Sequence, residues 1–123
     1  MNPSVPGIPT IDTQEADRRR REAQPAPLVV DVREPDEFAA LRLDGVALMP
    51  MSQFQQRWED LPRDRPLLIM CASGGRSAAA TAHLVRNGFT DVANVAGGIT
   101  AWEKAGLPVR RGPVEPGEGD LTS

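Results

Sequence analysis

Short apolar runs alternate along this chain with stretches of helical periodicity. Leu28-Val29-Val30-Asp31-Val32 is compact and β-branched, and Pro66-Leu67-Leu68-Ile69-Met70 is a second run of the same kind. Continuous hydrophobicity over four or five residues is what a strand buried on both faces requires. Val46-Ala47-Leu48-Met49 and Asp91-Val92-Ala93-Asn94-Val95 are weaker strand candidates. Between the runs, Ser52 followed by Gln55 predicts a capping box, and Phe54, Trp58 and Leu61 form the apolar stripe of a helix that stops near Pro62. Residues Arg76 to Asn87 are rich in alanine, with Ala78, Ala82, Val85 and Phe89 predicted on one face and Gly88 at a left-handed C-terminal cap. Ile99, Trp102 and Ala105 mark a last short helix ended by Gly106 and Pro108. Strands alternating with helices imply crossover connections, so the fold class is α/β with a mainly parallel sheet covered on both faces. Ligands of such folds collect at the carboxyl ends of the strands.

Proline and glycine crowd both ends of the chain. Residues 1–6 and 110–123 are therefore predicted to be flexible tails around one domain spanning residues 7–109. No internal repeat is visible within it. The basic tract Arg18 to Arg21 is flanked by Asp12, Glu15, Asp17 and Glu22 at helical spacings, which predicts a solvated helix face with local ion pairs.

The chain has 123 residues, 40% apolar and 25% charged, ordinary for one globular domain. No apolar run approaches the roughly 18 residues of a transmembrane helix, so no membrane is expected. A net charge of −3 argues against nucleic acid as a partner. The single cysteine, Cys71, allows no internal disulfide, and the N-terminus lacks a secretory pattern, so the expected compartment is the reducing cytoplasm. One cysteine and one histidine, His83, also exclude a zinc site built from several cysteines or histidines, and no metal is expected.

The stretch that carries chemistry is Cys71-Ala72-Ser73-Gly74-Gly75-Arg76-Ser77. It follows a predicted strand and opens a predicted helix, which places the thiol before unpaired helix amides and beside the cation Arg76. Such surroundings lower a thiol's pKa from ~8.5 toward neutrality. Gly74 and Gly75 let the chain curl so that successive amides form an anion nest. A lone cysteine is more often an inert core residue. That reading leaves the Gly-Gly-Arg-Ser continuation unexplained.

This loop, with Asp31-Val32-Arg33-Glu34-Pro35-Asp36-Glu37-Phe38 upstream and Val95-Ala96-Gly97-Gly98-Ile99-Thr100-Ala101-Trp102 downstream, resembles a single-domain rhodanese, a thiosulfate sulfurtransferase. The resemblance implies a five-stranded, mainly parallel sheet with helices on both faces. It also implies a cysteine that takes a sulfane sulfur from a donor such as thiosulfate, holds it as a persulfide and passes it on, without a cofactor. Cys71 is then the nucleophile. The amides of Ala72, Ser73, Gly74, Gly75, Arg76 and Ser77 would stabilise the charged sulfur. Arg76 would attract the anionic donor, and Asp31 and Arg33 are expected to orient the loop by ion pairing. Acceptors would be cyanide, or thiols such as glutathione or thioredoxin.

Related phosphatases place five residues between cysteine and arginine, and this chain has four, Ala72 to Gly75. The smaller ring favours sulfur over phosphate or arsenate chemistry. Ala72 stands where many members carry a polar residue, leaving Arg76 as the loop's only cation and weakening the case for thiosulfate as the preferred donor. Leu41-Arg42-Leu43-Asp44-Gly45 replaces a common Gly-His-Ile-Pro-Gly run, and Arg42 is expected to be exposed and without a role. His83, about 10 Å along the helix from Arg76, is a poor general base. The competing classes are a non-catalytic binding or redox-relay module of the same fold, and a phosphatase or arsenate reductase.

Overall fold

In the computed structural model, which describes residues 8–121, the two strongest apolar runs lie side by side at the centre of one sheet. The strands are β1 (Thr10–Ile11), β2 (Leu28–Asp31), β3 (Ala47–Leu48), β4 (Leu67–Met70) and β5 (Val92–Val95). Their order is β1-β5-β4-β2-β3, and every paired neighbour runs parallel. The helices are α1 (Thr13–Glu22), α2 (Pro35–Ala40), α3 (Met51–Arg57), α4 (Gly75–Arg86) and α5 (Gly98–Lys104). The five-stranded parallel α/β architecture expected from the sequence is the one observed.

Side-chain alternation along the strands divides the core in two. Leu28, Val30, Leu67, Ile69 and Val92 pack with Phe54 of α3 and with Ala80 and Leu84 of α4. Val29, Leu68, Met70, Ala93 and Val95 pack with Ala16 of α1, Phe38 of α2 and Ile99 and Trp102 of α5. β2, β4 and β5 are buried along their whole length, which explains their unbroken hydrophobicity.

Several local expectations change. Pro50, not Ser52, caps α3, and Ser52 spends its hydroxyl on the Glu34 carboxylate at 2.7 Å. The buried face of α4 is Ser77, Ala80, Thr81 and Leu84, so the predicted face of Ala78, Ala82 and Val85 is one residue out of phase. Two hydroxyl residues sit on the inward side, and an apolar stripe drawn by hydrophobicity alone misses them. Gly88 does take the left-handed conformation, at φ +90°. On α1, Arg18 and Arg19 pair with Glu15 and Arg21 pairs with Asp17, the solvated ion-pair face expected there. Arg20 turns away to the Asp44 carbonyl and lies over the Trp102 ring.

The expected tail of residues 1–6 lies outside the described residues. The expected tail from residue 110 onward makes specific contacts through Leu121. Arg110 bridges to Arg42, the Leu48 N–H donates to the Gly119 carbonyl at 2.7 Å, and Leu121 packs on the core. Arg42, expected to be exposed, is fully buried and clasps Glu118 at 2.6 and 2.9 Å. Its partner lies 76 residues away, beyond the reach of any local pattern.

Candidate active site

β4 ends at Met70 and Cys71 is the next residue, so the thiol stands at the carboxyl end of the central strand. The chain then turns sharply into α4. Gly74 makes this turn possible as the helix N-cap at φ +110°, and a Cβ on it would press against the Gly97 nitrogen at 3.2 Å. Gly75, expected to share that task, has no left-handed backbone, is exposed, and would have open space around a Cβ. The curl therefore needs one glycine rather than two.

Cys71 is only 1% exposed and borders an apolar cluster, yet polar groups surround its sulfur. The Gly74 N–H donates to Sγ at 3.1 Å, and the Ser77 hydroxyl lies 3.3 Å away. Burial pushes the thiol up, but the Ser77 hydroxyl and the backbone N–H groups of Ser77, Gly74 and Ser73 outweigh it and hold Cys71 below its ordinary value. Of the amides expected to ring the sulfur, that of Gly74 bonds to it, while those of Ser73 and Ser77 add to the pull toward its anion. Ala72 acts through its carbonyl, which accepts from the Thr100 N–H at 3.0 Å, while the Cys71 carbonyl accepts from Ile99 at 2.9 Å. Helix α5 thereby pins the outer side of the loop with the amides of its first turn.

Arg76 is not the free cation expected from the sequence. Its guanidinium forms a fork with the Glu37 carboxylate at 2.6 and 2.9 Å. Glu37 is the chief cause that raises the Arg76 pKa, with the nearby Cys71 adding a smaller contribution of the same sign. In return Arg76 holds the Glu37 carboxyl down at about 2.

Asp31 and Arg33 form a buried pair at 2.8 Å, but they do not bond the Cys71 loop. Arg33 instead donates to the carbonyls of Glu37 at 3.2 Å and Leu41 at 2.6 Å, which fastens α2 to the end of β2. Their influence on the loop is indirect: they fix the helix that carries Glu37, and Glu37 holds Arg76. His83 stands two turns along α4 with its ring edge-on to Phe54 and Trp58.

Two residues of the site were not singled out from the sequence. Glu37 lay within the upstream motif without an assigned role. Asn94, buried on β5, accepts from the Ser77 hydroxyl at 2.6 Å, and its polarity within the otherwise apolar run Val92–Val95 was the signal available. The arrangement is a buried thiol biased toward its anion, opposite backbone donors, with an ion pair at its side.

The Rhodanese-like domain family matches residues 12–105. A protein named sulfurtransferase from Allochromatium vinosum is 36% identical over 99 residues, covering 80% of this chain and 92% of that protein. The thiosulfate sulfurtransferase GlpE of Vibrio cholerae is 35% identical over 81 residues, covering 66% of this chain and 76% of its own. Among solved structures, a rhodanese-related protein from Thermoplasma volcanium superposes with a TM-score of 0.77 at 32% identity, covering 84% of this chain and 98% of that one. Family match, shared fold and the cysteine loop at the end of the central strand agree: the chain belongs to the rhodanese-like family of sulfurtransferases.

Proposed function

We propose that this protein transfers a sulfane sulfur from thiosulfate or a related donor to a thiophilic acceptor through a persulfide on Cys71. The observation that carries this reading is the sulfur's setting, where the Gly74 amide at 3.1 Å and the Ser77 hydroxyl at 3.3 Å favour its anion. The thiolate attacks the outer sulfur of thiosulfate, and the bond to the central sulfur breaks. Sulfite leaves with the electron pair. Cys71 is left with a terminal, negatively charged sulfur, and no proton moves. Attack of the acceptor on that terminal sulfur restores the thiolate: cyanide gives thiocyanate in an assay, while a thiol such as glutathione or thioredoxin would serve in the reducing cytoplasm. The Gly74 amide and its neighbours in the loop would hold the terminal sulfur as an oxyanion hole holds oxygen.

Incubation with thiosulfate followed by intact mass spectrometry tests this directly. One added sulfur atom is expected on the wild type and none on Cys71→Ser, which also loses thiocyanate formation. If no sulfane donor loads the wild type, the assignment fails. Hydrolysis of an aryl phosphate without sulfur loading would select phosphatase chemistry instead.

A further inference from the structure

We infer that Asn94 is a positioning residue, which acts through Ser77 to aim the one hydroxyl proton of that serine at the Cys71 sulfur. The inference rests on reading Cys71 as the reacting group. Asn94 is 4% exposed, its backbone is held in the sheet between Thr10 and Ile69, and its side-chain oxygen lies 2.6 Å from Ser77 Oγ. Ser77 is fully buried, and its Oγ is also 3.3 Å from Cys71 Sγ. A hydroxyl carries one proton, and here two acceptors compete for it.

The two protonation states of Cys71 resolve the competition in opposite ways. With a neutral thiol, S–H donates to Ser77 Oγ and the serine proton goes to Asn94 Oδ1. With a thiolate, the serine proton is needed at sulfur, which would leave Ser77 Oγ and Asn94 Oδ1 facing each other lone pair to lone pair. A half-turn of the carboxamide removes that conflict. Nδ2–H then donates to Ser77 Oγ, and Ser77 donates to the thiolate. Asparagine serves both chains because its two ends are alike in shape and opposite in hydrogen-bonding character. An aspartate accepts only, so it holds the serine proton away from sulfur and adds a like charge. A leucine offers neither donor nor acceptor. The charged groups around the loop stay constant in such variants: Arg76 from α4, Glu34 and Glu37 from α2 and its cap, and the Asp31–Arg33 pair at the end of β2. Arg57 of α3 is engaged with Gln53, and β5 and the first turn of α5 carry no charge.

The test is the pH profile of Cys71 alkylation by iodoacetamide, which reads the thiolate without requiring any sulfur transfer. Asn94→Asp is expected to move the midpoint upward by about one pH unit or more, and Asn94→Leu upward by less. In a Ser77→Ala background the Asn94→Leu change is expected to add nothing, since its route to sulfur is gone. A wild-type midpoint in both single variants, or an undiminished Asn94→Leu shift without Ser77, would overturn the inference. A measurement on the unaltered protein covers the case of poorly folded variants. The side-chain amide resonances of Asn94 should titrate with the Cys71 midpoint, and resonances indifferent to Cys71 ionisation would also overturn it. Failure of sulfur loading would remove the proposed reaction while leaving these profiles to decide the role of Asn94.

Discussion

Glu37 decides how much of Arg76's charge a donor meets. Both side chains are about one-third exposed, 32% and 37%, so the fork contributes little to stability, ~0–1 kcal/mol for pairs of this kind. Its consequence lies in the field at the site. Replacing Glu37 by Gln leaves the guanidinium uncompensated, and a charge about 6 Å from a dianion in water is worth about 1.4 kcal/mol before screening. The KM for thiosulfate is therefore expected to fall roughly three- to tenfold in Glu37→Gln, with kcat little changed and the difference shrinking at high salt. A steady-state assay with cyanide as acceptor measures it, and an unchanged or raised KM would mean that Glu37 aims the arginine rather than neutralising it. The contiguous stretch Cys71–Ser77 was legible in the sequence because its chemistry is local. The Glu37 fork was not, since it joins residues 39 positions apart on separate elements.

Among the elements, α5 has the closest hold on the loop. Its first residue, Gly98, has φ +56°, and a Cβ there would fall on the Cys71 carbonyl oxygen and within 2.7 Å of the Ala72 oxygen. That contact permits Ile99 and Thr100 to bond those same carbonyls. Gly98→Ala is expected to cost ~1–2 kcal/mol for the left-handed backbone alone, with the steric clash added. Thermal unfolding should show a Tm about 5 °C lower or worse, and because the loop must shift, sulfur loading of Cys71 should fall even in the folded fraction. A variant with reduced Tm but full loading at low temperature would separate the helix contact from the loop's geometry. The strands that flank this contact were legible because β2, β4 and β5 are buried on both faces. The two-residue β1 and the six-residue α2, which buries only Phe38, are too short to leave a periodic trace. The phase error on α4 has a different origin: Ser77 and Thr81 face inward to serve Cys71 and the helix backbone, so functional polarity interrupts the apolar stripe.

At the scale of the molecule, the segment after Val109 closes the far edge of the sheet. β3 is a two-residue edge strand, and Gly119 pairs with it through Ala47 and the Leu48 N–H. Arg42 anchors this strap from beneath. Fully buried, it donates to both Glu118 oxygens and to the carbonyls of Gly112 at 3.0 Å and Pro113 at 3.1 Å. A buried guanidinium that loses its carboxylate is left with an uncompensated charge, so Glu118→Gln is expected to lower the Tm by several degrees at neutral pH. Acid should reproduce the same loss. The Arg42 guanidinium, followed by the Glu115 amide, holds the Glu118 carboxyl down at about 2 from its usual 4.5. A carboxyl lowered in the folded state adds stability that is complete above its unfolded value and disappears as pH falls through the folded one. The Tm difference between wild type and Glu118→Gln should therefore be full above about pH 5 and close progressively between pH 4.5 and about 2. Differential scanning calorimetry across that range measures it, and a difference independent of pH would show that backbone pairing, rather than the Arg42–Glu118 charge pair, fastens the strap.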